Sequence, residues 1–159
     1  MPANIVLNRE TVYAALFAKL AGIKTAAGIK TVSRHVKHYA DVPAAQRPAV
    51  YQFQKGEYWK RVRGLPPVIT LRAEWLAYLN ANPENNSDIA STAINKLLDY
   101  CEEALAPPVG ANNNQTLGLP DIVQHAWIED GIEIYEGVLL DTSIVIIPIH
   151  ILCSGGVPA

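Results

Sequence analysis

The chain reads as an α+β domain: a mostly antiparallel or mixed β-sheet packed with two α-helices and carrying a long β-hairpin arm. Three observations lead there. Apolar residues recur at helical spacing in two separate segments, 8–22 and 89–105. Residues 68–80 alternate apolar and polar side chains as a half-buried strand does. The run from 137 to 152 is dense in β-branched residues, which favours a sheet interior over a helix.

Taken in order, Asn8 caps a first helix whose apolar positions Val12, Leu16, Phe17 and Leu20 fall on one stripe and which stops near Gly22. The pentapeptide Ala-Gly-Ile-Lys-Thr then occurs twice, at 21–25 and 27–31. Two copies at so short a period are far from a solenoid repeat, and the duplication reads as a loop insertion without assigned function. Strands are expected at Thr31–Tyr39 and, after the turn region Pro43–Pro48, at Ala49–Lys55. The third strand, Val68–Asn80, places Ile69, Leu71, Ala73, Trp75, Ala77 and Leu79 on a core face and Thr70, Arg72, Glu74 and Tyr78 on a wetter one. Pro83–Asp88 carries a capping signal for a second helix, with Ile89, Ala93, Ile94, Leu97, Leu98, Cys101 and Leu105 on its apolar stripe and Pro107-Pro108 at its end. A polar loop, Gly110–Gln115, leads to a fourth strand region, Ile122–Tyr135. The final run makes a buried strand covered on both faces, at a sheet interior or a subunit contact, with Pro148 at an edge or bulge. The order is αβββαββ, with antiparallel neighbours.

With 159 residues, half of them apolar, the chain has the size and core of one domain, residues 1–159. The formal charge of −2 gives no general attraction to nucleic acid or to an anionic membrane, so contact with DNA would need a local patch. Cys101 and Cys153 are far apart and in no metal or redox spacing, which suits a reducing cytosol. The opening residues lack the pattern of a signal peptide. The apolar C-terminal run is interrupted by Asp141, Pro148 and His150 and is too short to span a bilayer, so no membrane association is expected.

Chemistry-bearing residues are sparse. His35 and His38, three apart on an expected strand, would point to opposite faces rather than share a metal. His125, beside Trp127 on one strand face, and His150, within an apolar run, read as hydrogen-bonded structural histidines, and Cys101 as a small core residue. Glu129, Asp130, Glu133 and Glu136 read as a solvated surface, because nothing indicates a pocket that would perturb a carboxylate. There is no phosphate-cradling glycine loop, nucleophile elbow or paired Cys-x-x-Cys. The expectation is a protein that is not an enzyme and needs no cofactor or metal.

The stretch "QKGEYWKRVRGLPP" (54–67) is longer than a hairpin turn requires. Its Lys55, Tyr58, Trp59, Lys60, Arg61 and Arg63 combine the aromatic and arginine types enriched at interface hot spots, and its cations could instead face DNA non-specifically. An assembly arm is the favoured reading, a solvated hairpin tip the plain one.

Four segments together, "NRETVYAALFAKL" (8–20), "KTVSRHVKHYADVPAAQRPAVYQFQKGE" (30–57), "RGLPPVITLRAEWLAYL" (63–79) and "HAWIEDGIEIYEGVLLDTSIVIIPIHIL" (125–152), give a helix, a "DVP…QPA"-like turn, a "GLPP" hairpin end and an "EG" turn before the last strand. In this order the chain resembles the tail terminator proteins of tailed bacteriophages and prophages, the group of the lambda minor tail protein U. The doubled "AGIKT" is an extra insertion relative to that pattern. The resemblance implies a virion protein at the tail–neck junction, assembled in the host cytoplasm. It implies a homo-oligomeric, hexameric ring on the end of the tail tube that stops polymerisation of the major tail tube protein. It further implies joining to the head–tail connector, with DNA later passing through the lumen. The alternative is a neck or head-completion protein that binds the portal side.

Overall fold

The computed structural model describes residues 7–82, 89–110, 112–139 and 141–154. Helix α1 (Arg9–Gly22) begins where expected, because the Asn8 side-chain oxygen accepts from the Thr11 amide at 3.1 Å and so satisfies one of the unpaired amides of the first turn. It buries Val12, Tyr13, Leu16 and Leu20. The duplicated pentapeptide ends the helix in its first copy and forms a turn leading into a strand in its second, with Gly28 at φ 72°.

Strand β1 is Thr31–Ser33, parallel to the start of β2. The strand expected to reach Tyr39 therefore stops early. The Ser33 hydroxyl accepts from the His35 amide at 2.9 Å and turns the chain, and His38 Nδ1 accepts from the Ala40 amide at 3.3 Å to cap a short 3-10 turn, Tyr39–Asp41. His35 and His38 are thus outside the sheet altogether.

Strands β2 (Ala49–Lys60) and β3 (Val68–Asn80) form a long antiparallel hairpin. The strand expected to end at Lys55 continues through Gly56 to Lys60, and only Arg61–Pro67 make the turn. A β-bulge between Gln54 and Glu57 puts one extra residue into β2. Helix α2 (Ala90–Ala104) buries Ile94, Leu97 and Cys101, with Leu105 buried just beyond. Ala93 and Ile89, expected on that stripe, are exposed. The capping segment 83–88 lies outside the described residues, but the Glu136 carboxylate accepts from the Ser91 amide at 3.1 Å in the first turn.

The expected fourth strand is two, β4 (Val123–Ile128) and β5 (Glu133–Leu139), so the described residues hold six strands rather than five. Both run antiparallel to β6 (Thr142–Ser154) along the same side, and Gly131, at φ 91°, marks the break between them. The sheet order is β1-β2-β3-β6-β4, with β5 also on β6, and β3 and β6 pair over their whole lengths from Val68↔Ser154 to Asn80↔Thr142. The fold is α+β, with a mixed sheet.

Both helices cover one face. Trp75, Leu71, Leu79, Val145, Ile147, Ile149 and Ile151 meet the buried stripes of α1 and α2 in one core. On the other face a small second cluster, Val42, Ala49, Tyr51 and Tyr78, sits beside Tyr39. Along β6 burial alternates, full on the helix side and partial on the other, so the sheet interior covers only one of its faces within the chain. Pro148 is neither at the sheet edge nor in a bulge. Its carbonyl accepts from the Glu129 amide at 2.9 Å, so its nitrogen points the same way, into the gap between Ile128 and Glu133 where no strand residue asks for an N–H.

Candidate assembly surface

The β2 bulge decides where the arm residues point. Within it, Lys55 lies on the open face of the sheet, its ammonium 3.3 Å from Glu74 and 5.6 Å from the ring centroid of Phe53. After it, Tyr58 opposite Thr70 takes the open face, while Glu57 and Trp59, opposite Leu71 and Ile69, turn to the helix side. There Arg9 of α1 forms a bidentate pair with Glu57, its Nη2 donating at 2.9 Å. The hydrogen bond from Arg9 holds the Glu57 carboxyl below its ordinary range. Trp59 Nε1 donates to the same carboxylate at 3.0 Å, and two guanidinium groups lie over the indole, Arg61 at 4.9 Å and Arg9 at 5.8 Å from its centroid. On the open face Arg72 stacks over Tyr58 at 4.6 Å and donates to its hydroxyl at 3.0 Å.

These contacts orient the aromatics without covering them. Tyr58 is 57% and Trp59 42% exposed. At the turn Val62 and Leu65 are exposed too, and Lys60, Arg61 and Arg63 have no carboxylate partner among the described residues. The six expected residues therefore share one arm but not one face. Arg9 and Arg72, which help to fix its aromatics, escaped sequence reasoning because one is distant in the chain and the other is across the hairpin, and Glu57 because its role depends on Arg9.

The far edge of the sheet has the opposite character. A groove of about 640 Å³ runs between the end of α2 and β4 with the turn that follows it. Leu98, Leu105, Pro107, Ile128 and Ile132 give it an apolar lining, and Glu102, Glu129 and Asp130 add carboxylates. His125 and Trp127 stack at 5.4 Å, and the Gln115 amide donates to His125 Nδ1 at 3.0 Å. Trp127 Nε1 donates to Glu129 at 2.7 Å, the main reason that this carboxyl stays below its ordinary range, and His150 lies 3.1 Å from the same oxygen. Beyond the groove, β5 exposes Ile134 and Tyr135 beside Glu133 and Glu136.

Net charge hides this contrast. Twelve of the thirteen lysines and arginines occur in residues 1–72, and twelve of the fifteen carboxylates in residues 73–159. The first segment supplies α1, β1, β2 and the arm; the second supplies α2, β4, β5 and β6. Since β1 and β2 lie at one side of the sheet and β4 and β5 at the other, the sheet is basic at one edge and acidic at the opposite one. That asymmetry was countable in the sequence.

No group of three or more His, Cys, Asp or Glu side chains is placed to hold a metal ion among the described residues. Burial pushes the Cys101 thiol up to about 12 and the Cys153 thiol to about 11, which makes both poor nucleophiles. No helix among the described residues is long and apolar enough to cross a membrane. Compared with known proteins, the chain matches no family model and no curated protein sequence.

Proposed function

We propose that the chain is a structural, non-enzymatic protein of a bacteriophage tail: a tail terminator. In this reading copies form a hexameric ring on the tail tube, stop its polymerisation and offer the head–tail connector a new surface at the tail–neck junction. DNA later passes through the lumen. The observation that carries the reading is the hairpin arm. Paired strands stiffen it, and its tip holds exposed aromatics and cations without carboxylate partners among the described residues, as a contact with another protein surface requires. The resemblance of the four sequence segments to tail terminators supplies the kind of assembly.

The test replaces Tyr58, Trp59, Arg61 and Arg63 with serine in a phage that depends on this chain. Circular dichroism should show a folded protein, since exposed positions contribute little to stability. Electron microscopy should show tails of uncontrolled length that do not join heads. Tails of normal length that fail to join would assign the arm to the neck side and favour a head-completion protein. Normal tails with poor genome delivery would assign the cations to the DNA passage. Normal tails, joining and infectivity would reject the arm as an assembly element.

A further inference from the structure

The ring half of the proposed function needs two surfaces on each copy that fit one another, and the molecule carries such a pair. We propose that the hairpin tip of one copy docks into the groove between α2 and β4 of the next. The occupant of the groove is thus a second copy of this chain, and the inference rests on the ring reading while naming the contact that would make it.

Three observations support that occupant. The groove is apolar inside with carboxylates around it, and the tip is its complement: Val62 is 49% and Leu65 65% exposed, flanked by Arg61 and Arg63. The tip closes the β2–β3 hairpin at one end of the sheet while the groove runs along the β4 edge, so they are separate surfaces and docking leaves each copy with one free tip and one free groove. Such a contact is heterologous and repeats, closing as a ring where the rotation allows. Finally, the alternatives meet repulsion. Tip against tip or groove against groove sets like charges together, and a nucleic acid or acidic partner in the groove would face Glu102, Glu129 and Asp130. A contact made by a seven-residue turn is small for a stable interface, so it should be weak alone and sensitive to salt.

Charge reversal tests this in the full chain by native mass spectrometry and sedimentation at low and high ionic strength. The wild type should associate beyond a dimer at low salt and dissociate as salt rises. Arg61→Glu with Arg63→Glu should weaken association by about tenfold or more, as should Glu102→Lys with Asp130→Lys. Mixing the two variants, or combining all four changes in one chain, should restore it, which a misfolded variant could not do. The proposal is overturned by a wild type that stays monomeric at its highest soluble concentration in low salt. It is equally overturned by association that ignores both variants, or by weakening that neither mixing nor combination rescues. The terminator reading fails separately: a chain that assembles and rescues as described but does not cap tail tubes keeps the docking and loses the terminator. One that caps tubes through other contacts does the reverse.

Discussion

The buried polar link between Trp75, Gln52 and α1 makes a quantitative prediction. Trp75 is fully buried at the centre of β3, and its Nε1 donates to the Gln52 side-chain oxygen at 3.0 Å. Gln52, 2% exposed, donates in turn to the Tyr13 carbonyl at 2.9 Å. Truncating Trp75 to alanine should cost about 3–5 kcal/mol for the packing, and the stranded Gln52 oxygen about 1–3 kcal/mol more. That approaches the whole stability of a typical domain, so gentler changes are more informative. Trp75→Phe keeps most of the apolar contact but strands the Gln52 oxygen. Gln52→Leu keeps the volume but strands the indole N–H, while the Tyr13 carbonyl retains its acceptor role within α1. The double variant removes both orphaned groups. Its cost should therefore fall short of the sum of the single costs by the two penalties together, about 2–6 kcal/mol. Urea unfolding followed by circular dichroism measures all four corners. Additivity within about 0.5 kcal/mol would show that the hydrogen bond does not couple the two side chains.

Glu57 should give stability a small acid dependence. Its folded pKa is depressed from the ordinary 4.5, so the stabilisation is complete above that value and is lost as pH falls through the depressed one. With Arg9 38% exposed, the contribution should stay below about 1 kcal/mol, and Glu57→Gln should flatten the curve below pH 4.5; parallel curves for wild type and variant would count against the pair. At the sheet centre, Pro148→Ala should change stability by no more than about 0.5 kcal/mol, because the proline nitrogen faces a gap, whereas Ile147→Ala, fully buried beside it, should cost about 2–5 kcal/mol. A large loss from Pro148→Ala would refute the placement of that gap.

Legibility followed the range of the determining interactions. α1, β3 and α2 were readable because caps, apolar stripes and alternation act within a few residues, as Asn8 and the buried odd positions of β3 show. β2 was cut short because the bulge interrupts its alternation at a glycine, and Gln54-Lys-Gly-Glu57 then reads as a turn. Thr31–Tyr39 looked extended for the opposite reason: its alternation continues past Ser33, where the hydroxyl that accepts from the His35 amide turns the chain away from β2. The last strand was read as covered on both sides from its composition alone, whereas which face a helix covers is a matter of topology. For the arm, the exposed residues were identifiable by type, but their division between two faces required the position of the bulge.

That bulge also determines how the arm tolerates changes in its own length. One surplus residue lies between the pairs Gln54↔Ala73 and Glu57↔Leu71, and every side chain from Glu57 to the turn owes its side of the ribbon to it. Removing a single residue there would heal the bulge and leave Tyr58 opposite Thr70 and Trp59 opposite Ile69, each on its present side with Arg72 and Arg9. Removing two would set Tyr58 opposite Leu71 and Trp59 opposite Thr70, taking Tyr58 from Arg72 and Trp59 from Arg9 although the composition of the tip would be unchanged. Loss of one residue at the bulge should therefore leave the tip's two sides intact, whereas loss of two should be accompanied by a compensating bulge in β3.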